Sequence, residues 1–264
     1  MQRFHAWLVV WLGILTAVQA AEVVPAALPS GMVRMPAGVY RALFRSLADP
    51  KEIPVKSFAL DIHPMTNLEF LEFVRANPRW RRSQVKRLFA DENYLKDWAG
   101  DLELGTQNKS NAPVTWVSWF AAKAYASSLG KRLPTTAEWE FAAAASPSRI
   151  DGGNDPDFKK QLSEWYSTLA PEHLPTVGKN RANFFGLQDM HGLVWEWVAD
   201  FNTAMVTGDA RGDSGLDRQL FCGSGAQGAT DVTDYAAFMR FGFRSSLKAK
   251  YTVHNLGFRC AKDL

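Results

Sequence analysis

Gly130-Lys131-Arg132-Leu133-Pro134-Thr135-Thr136-Ala137-Glu138-Trp139-Glu140 sets two helix boundaries in one stretch. Gly130 ends an alanine-rich helix that begins after Val117-Ser118, because glycine takes the left-handed residue past the last turn without a Cβ penalty. Thr135 with Glu138 forms a capping box, in which the threonine hydroxyl and the glutamate each satisfy an N–H at the helix start. The second helix is therefore expected over 137–145, stopped before Pro147. Ala122, Ala126 and Ala142 to Ala145 are small enough to let helices approach closely.

Working outward, Met32-Val33-Arg34-Met35-Pro36-Ala37-Gly38-Val39-Tyr40 reads as strand, Pro-Gly turn and strand, with another strand over 56–62. Thr66-Asn67-Leu68-Glu69 repeats the capping box and opens an amphipathic helix with Phe70, Phe73 and Val74 on one face. Residues 77–112 carry no period and read as irregular, with one helix around Ser83–Phe89. Residues 146–182 read as loop. Beyond Trp195-Glu196-Trp197 and a polar loop, the chain ends in Asn255-Leu256-Gly257-Phe258-Arg259-Cys260, a core strand. Sparse helices among short antiparallel strands and long loops, with no repeat, make the class α+β.

Composition narrows the chemistry. Lys and Arg number 30 against 27 Asp and Glu, for a net charge of +3 over 264 residues, too balanced to advertise nucleic acid as a partner. Two cysteines among 264 residues exclude a disulfide framework and a four-cysteine metal site. The four histidines past residue 20 (63, 173, 191 and 254) show no ligand spacing. The N-terminus differs from the rest. After Arg3, the apolar run from Trp7 to Val18 is too short to span a hydrocarbon core of roughly 30 Å, and Val18-Gln19-Ala20 offers the small residues that a signal peptidase reads. Residues 1–20 are thus expected to be a Sec-type signal peptide cleaved after Ala20, giving a periplasmic or secreted protein. Residues 21–31 form a lead-in to one domain over 32–264, and no other segment is long and apolar enough to span a membrane.

Several segments together resemble the formylglycine-generating enzyme, or sulfatase-modifying factor, domain. They are Met32 to Gly38, Met65-Thr66-Asn67, Val117-Ser118-Trp119, Gly130 to Glu140, Gly192-Leu193-Val194-Trp195-Glu196-Trp197 and Asn255 to Cys260. The resemblance implies a single loop-rich domain with a C-type-lectin-like fold. Formylglycine generators use a closely spaced cysteine pair ahead of the closing Gly-Phe-Arg strand, which binds copper and drives oxygen-dependent oxidation of a substrate cysteine. Here Gly223 to Arg244 holds no cysteine, and the two thiol positions fall on Asp231 and Ala236. Soft Cu(I) prefers sulfur, so no copper-thiolate site is expected and sulfatase activation by that chemistry is not. The chain thus resembles the cysteine-less exported subgroup, and most of all the nitrite-reductase-associated type.

The resemblance also implies sites. Asp189 and Glu196 by side chain, with Gly192 and Val194 by carbonyl, would hold one structural Ca²⁺, a hard cation suited to oxygen. The alternative is a strand and turn whose carboxylates meet an arginine. Trp195, Ser224, Asp231, Asp234, Arg240 and Arg244 fall where the family's groove lies, with Tyr235 beside them. They read either as a catalytic or ligand-binding set or as a structural ion-pair network. Cys222 and Cys260 lie on segments that neighbour in the family, either bridged or as two buried thiols. Gly223 to Gly228 fits Gly-x-Gly-x-x-Gly but lacks the surrounding βαβ unit, so it is not a dinucleotide site. Arg79-Trp80-Arg81-Arg82 with Lys86 and Arg87 is a basic patch, read as a solvated helix face or as a surface for an anionic partner or lipid.

Two functions follow as expectations. One is an exported accessory or tailoring protein, oxidoreductase-like, acting on a small molecule or a partner protein. The other is a non-catalytic, lectin-like binding module that recruits a partner such as a periplasmic copper enzyme. An open groove with convergent Asp and Arg groups favours the first, and a filled groove favours the second.

Overall fold

The structure, a computed structural model, describes residues 28–42, 50–106, 108–202 and 235–264. Strand β1 (Met32–Met35) runs antiparallel to β4 (Phe58–Asp61), which pairs on its other edge with β7 (Ala261–Asp263), so both ends of the described chain meet in one sheet. β1 buries Met32 and Met35 at its two ends and leaves Arg34 exposed, whereas central β4 is buried throughout. β2 (Gly38–Tyr40) and β3 (Ile53–Val55) form a second antiparallel pair. The expectation of antiparallel strands alone is corrected at β5 (Trp195–Glu196) and β6 (Leu256–Gly257), which run parallel. The parallel pair needs a close approach: a Cβ on Gly257 would stand 2.6 Å from the Val114 carbonyl oxygen.

Helix α1 (Asn67–Ala76) has its capping box, with Glu69 N–H donating to Thr66 Oγ1 at 3.3 Å and Thr66 N–H to Glu69 Oε2 at 2.8 Å. α2 (Trp119–Ser128) is capped by Ser118 and ends before Gly130, which takes φ +63°. α3 (Thr136–Ala143) starts at the Thr135–Glu138 box and lies on β2 and β3. There Gly38 is the residue that fits, since a Cβ would stand 2.4 Å from the Phe141 ring. Phe70, Tyr125 and Phe258 pack ring against ring between α1, α2 and the closing segment, and Trp197 fills the core beside them.

Two segments differ from expectation. Residues 83–89 form no helix; single turns such as Phe89 N–H to Lys86 O are tethered outward, with Ser83 N–H on Asp101 Oδ1 and Asp91 N–H on Lys250 O. Those outside anchors break the succession of i→i+4 bonds a helix needs. Within the expected loop 146–182 lies α4 (Pro156–Ser167), capped by Asp155 with Pro156 opening its first turn. Likewise α5 (Tyr235–Ser246) is a helix where the sequence led to no expectation of one, and it packs on α4. Among the described residues, no helix is long and apolar enough to cross a membrane. The leader 1–20 and its cleavage after Ala20 lie outside the described residues.

Candidate functional site

α3, α4, α5 and β5 bring the described groove residues together around a buried carboxylate. Glu140, on α3, accepts from Arg240 Nε at 2.9 Å and Arg240 Nη2 at 2.8 Å, and also from Arg244 Nη1. The helical period makes this shared grip: Arg240 and Arg244, four apart on α5, project from one face. Their guanidiniums lie 5.7 and 4.9 Å from the Trp139 ring centroid, and Arg240 also donates to Tyr166 Oη at 3.1 Å. Burial alone would raise the Glu140 carboxyl, but the two arginines more than offset it and hold it at about 2. The same carboxylate, against the cost of burial, keeps Arg240 firmly protonated.

Trp195 sits at the edge of this cluster and is covered. Phe243 of α5 stacks on it with ring centroids 4.3 Å apart, and Trp165 and Tyr166 of α4 close on it at 5.6 and 5.4 Å. Beneath them, His191 lies among Trp139, Phe158 and Tyr166. Its Nε2 bonds the Ala143 carbonyl at 2.9 Å, so that nitrogen carries the proton, and Nδ1 is enclosed without a partner. Burial, reinforced by the charge of Arg240, lowers the imidazole to about 3, so it is neutral at physiological pH.

Of the expected groove set, the structure joins Arg240, Arg244 and Trp195, in the ion-pair arrangement rather than as open groups. Ser224, Asp231 and Asp234 lie outside the described residues, as does Cys222. Cys260 is a buried free thiol, pushed well up by burial and by Asp61. Ala236, where the resemblance places the second thiol, is a buried residue in the first turn of α5, and its methyl group offers no metal donor.

The two carboxylates expected to hold Ca²⁺ are engaged by other groups. Asp189, at φ +56°, accepts from the Gly178 and Asn180 N–H groups. Glu196 is wholly buried against Arg259, with Oε2 accepting Arg259 Nε at 2.8 Å and Trp139 Nε1 at 2.7 Å, and Oε1 accepting Arg259 Nη2 at 2.9 Å. A cation there would have to displace a guanidinium that also donates to the Asp61, Ile62 and Gln188 carbonyls. The set Asp189, Gly192, Val194 and Glu196 therefore does not fit Ca²⁺ in this arrangement, and the carboxylate–arginine alternative describes Glu196.

Sequence reasoning missed Glu140, Tyr166 and His191. Glu140 was readable, since a glutamate on the apolar side of a short helix needs a buried cation. Tyr166 depended on α4, whose Asp155-Pro156 start was an available signal.

The family described as "Sulfatase-modifying factor enzyme 1-like domain" matches residues 19–264. The "Formylglycine-generating enzyme" of Streptomyces coelicolor is 32% identical, over 92% of this chain and 94% of that one. The "Inactive C-alpha-formylglycine-generating enzyme 2" of Mus musculus is 29% identical, over 81% of this chain and 77% of that one. A stretch covering 57% of this chain is 35% identical to "Serine/threonine-protein kinase pkn1" of Chlamydia caviae, and it spans only 24% of that protein's length.

Proposed function

As the chain belongs to the sulfatase-modifying factor family, we propose that it is an exported accessory member that does not generate formylglycine and acts as a non-catalytic binding module. One observation carries this reading. α5 fills the described part of the groove, pinning Arg240 and Arg244 on Glu140 and laying Phe243 over Trp195. Arginines spent on a buried carboxylate are not free to bind substrate, and an indole stacked under Phe243 and flanked by Trp165 and Tyr166 has little of its face left to form a wall for one. Asp231 and Ala236 at the thiol positions remove the soft donors that the family's copper chemistry uses. That a family relative is named "Inactive C-alpha-formylglycine-generating enzyme 2" supports this reading, since one fold can host different functions. A tailoring oxidoreductase would call instead for convergent groups left open.

The test is direct. The protein, loaded with copper under oxygen, is incubated with a sulfatase-type cysteine peptide beside the Streptomyces coelicolor enzyme as control. The peptide is expected to keep its thiol while the control converts it; formylglycine in the peptide's mass spectrum from this protein overturns the proposal. Export is checked on the same material, whose mature N-terminus is expected at Ala21.

A further inference from the structure

A different face, at the C-terminal end of α1, is rich in cations: Arg82 donates to the Trp98 carbonyl and Arg81 to the Arg75 carbonyl, and Arg79 and Lys123 lie over the Trp80 and Trp119 rings. α1 stops at Ala76, Asn77 caps it, and Pro78–Trp80 makes a single 3₁₀ turn that throws the next residues outward. From Arg79 to Leu88 the chain reads Arg-Trp-Arg-Arg-Ser-Gln-Val-Lys-Arg-Leu, with no acidic residue. Lys123 of α2 stands across a shallow groove from Arg79. Among the described residues, Arg79, Arg81, Arg82, Lys86, Arg87 and Lys123 make no ion pair. Asp101, whose charge reaches Arg81 and Arg82, is already taken by the Ser83 amide and hydroxyl. Five of these six cations fall within Arg79 to Ala90, a stretch without a carboxylate, so positive charge is locally concentrated there.

One further feature points to a ligand. The groove itself, about 440 Å³, has an apolar floor of Phe73, Phe120 and Ala124. Phe120 joins Trp80 through Phe89, with ring centroids 5.5 and 6.0 Å apart, so floor and basic turn form one aromatic unit. Leu88, 73% exposed beside Lys86 and Arg87, is not part of the groove lining.

We propose that this face docks an acidic segment of a partner protein, its carboxylates on the six cations and one apolar side chain in the groove between α1 and α2. The inference rests on the binding-module reading and names the chemistry of the partner. Concavity favours a peptide over a bilayer: a groove receives a side chain, whereas an anionic membrane favours a protruding apolar face.

The probe is a fluorescein-labelled peptide of glutamates around one central phenylalanine, titrated by anisotropy into the full chain. Companion probes replace the phenylalanine by glycine or every glutamate by lysine, and vesicles of phosphatidylglycerol and phosphatidylcholine in equal parts stand for a lipid surface. Saturable binding of the acidic probe is expected, weakening as salt rises. R79E and K123E should each weaken it about tenfold or more, since charge reversal of a fitted pair adds repulsion to lost attraction. A124W, which blocks the groove, should reduce the acidic probe to the affinity of its glycine version. These residues are at the surface or groove edge, and near-ultraviolet circular dichroism verifies the fold of each variant; K86E/R87E is the substitute if R79E unfolds. Failure of the acidic probe to saturate, equal binding of the lysine probe, or binding of vesicles without the peptide overturns the proposal. Formylglycine formation in the preceding assay would instead overturn the parent reading and leave these titrations standing.

Discussion

Two buried glutamates divide the molecule. Glu196, in β5, meets one arginine and one indole, and Arg259 spends its remaining donors on three main-chain carbonyls from elsewhere in the core. Both side chains are fully enclosed. Glu140, in α3, meets two arginines from a single helix, with side chains 8–10% exposed. Among the described residues, Arg240 and Arg244 direct their donors to the Glu140 carboxylate and the Tyr166 hydroxyl rather than to main-chain carbonyls. The first arrangement is balanced in charge and ties strands, loops and the closing segment into one unit. The second carries one more cation than anion among the described residues, and what it holds is α5 against α3 and α4. The same chemistry, a carboxylate gripped by guanidinium, therefore serves the whole core in one place and the seating of one helix in the other.

The contrast breaks first at Glu196. Glu196→Gln leaves Arg259 buried with an unmatched charge, and breaking one side of such a pair costs about 3–5 kcal/mol. Since net stabilities are of the order of 5–15 kcal/mol, the expected outcome is a large drop in the urea midpoint across the whole transition. Glu140→Gln should act locally. α5 is expected to lose amide protection over 235–246 and become cleavable, while the core transition keeps its cooperativity and moves by about 3 kcal/mol or less. Hydrogen exchange resolved by peptide distinguishes the two. If Glu140→Gln exposes β5 and β6 as readily as α5, the two carboxylates belong to one unit and the comparison fails.

Legibility followed the same division. The core around Glu196 and Arg259 was readable because its segments carry their own local chemistry: a capping box at Thr66, a glycine after α2 and an apolar closing strand; the Thr135 box likewise made α3 readable, but not what its Glu140 would meet. The glutamate's partner was foreseen only as one alternative, since a carboxylate in a turn looks the same in sequence whether it faces Ca²⁺ or a guanidinium. Around Glu140 the sequence was less informative. Arg240 and Arg244 were placed in the groove, yet Phe243 covering Trp195 depends on α5 being helical, and a stretch holding Gly242 with Phe238, Phe241 and Phe243 gives no clear strand or helix period. The His191 environment was beyond reach, because Trp139, Phe158 and Tyr166 converge on it from two different helices.

His191 supplies the smallest and most selective probe of the Glu140 region. Its folded-state value of about 3 lies below the ordinary 6.5, so the unfolded chain takes up the proton first as pH falls. Stability is thus fully present above about 6.5 and is lost progressively toward 3. Glu140, at about 2 against an ordinary 4.5, adds a loss with the same sign that begins only below 4.5. Between pH 7 and 5.5 the imidazole acts without Glu140, and the expected loss is about 1 kcal/mol, since a tenfold difference in proton affinity between the folded and unfolded states corresponds to about 1.4 kcal/mol. Urea midpoints measured across that interval should fall for the native protein and stay level for His191→Gln, which retains a donor for the Ala143 carbonyl. Below pH 4.5 both proteins should fall as the unfolded chain takes up the Glu140 proton, and Glu140→Gln should shrink that limb, to which the lowered Asp101, Asp155 and Asp263 carboxyls also contribute, while keeping the upper one. A flat native curve from pH 7 to 5.5 would mean that the ring finds a proton partner in the folded state, and the enclosed pocket beneath α4 would then be open to water.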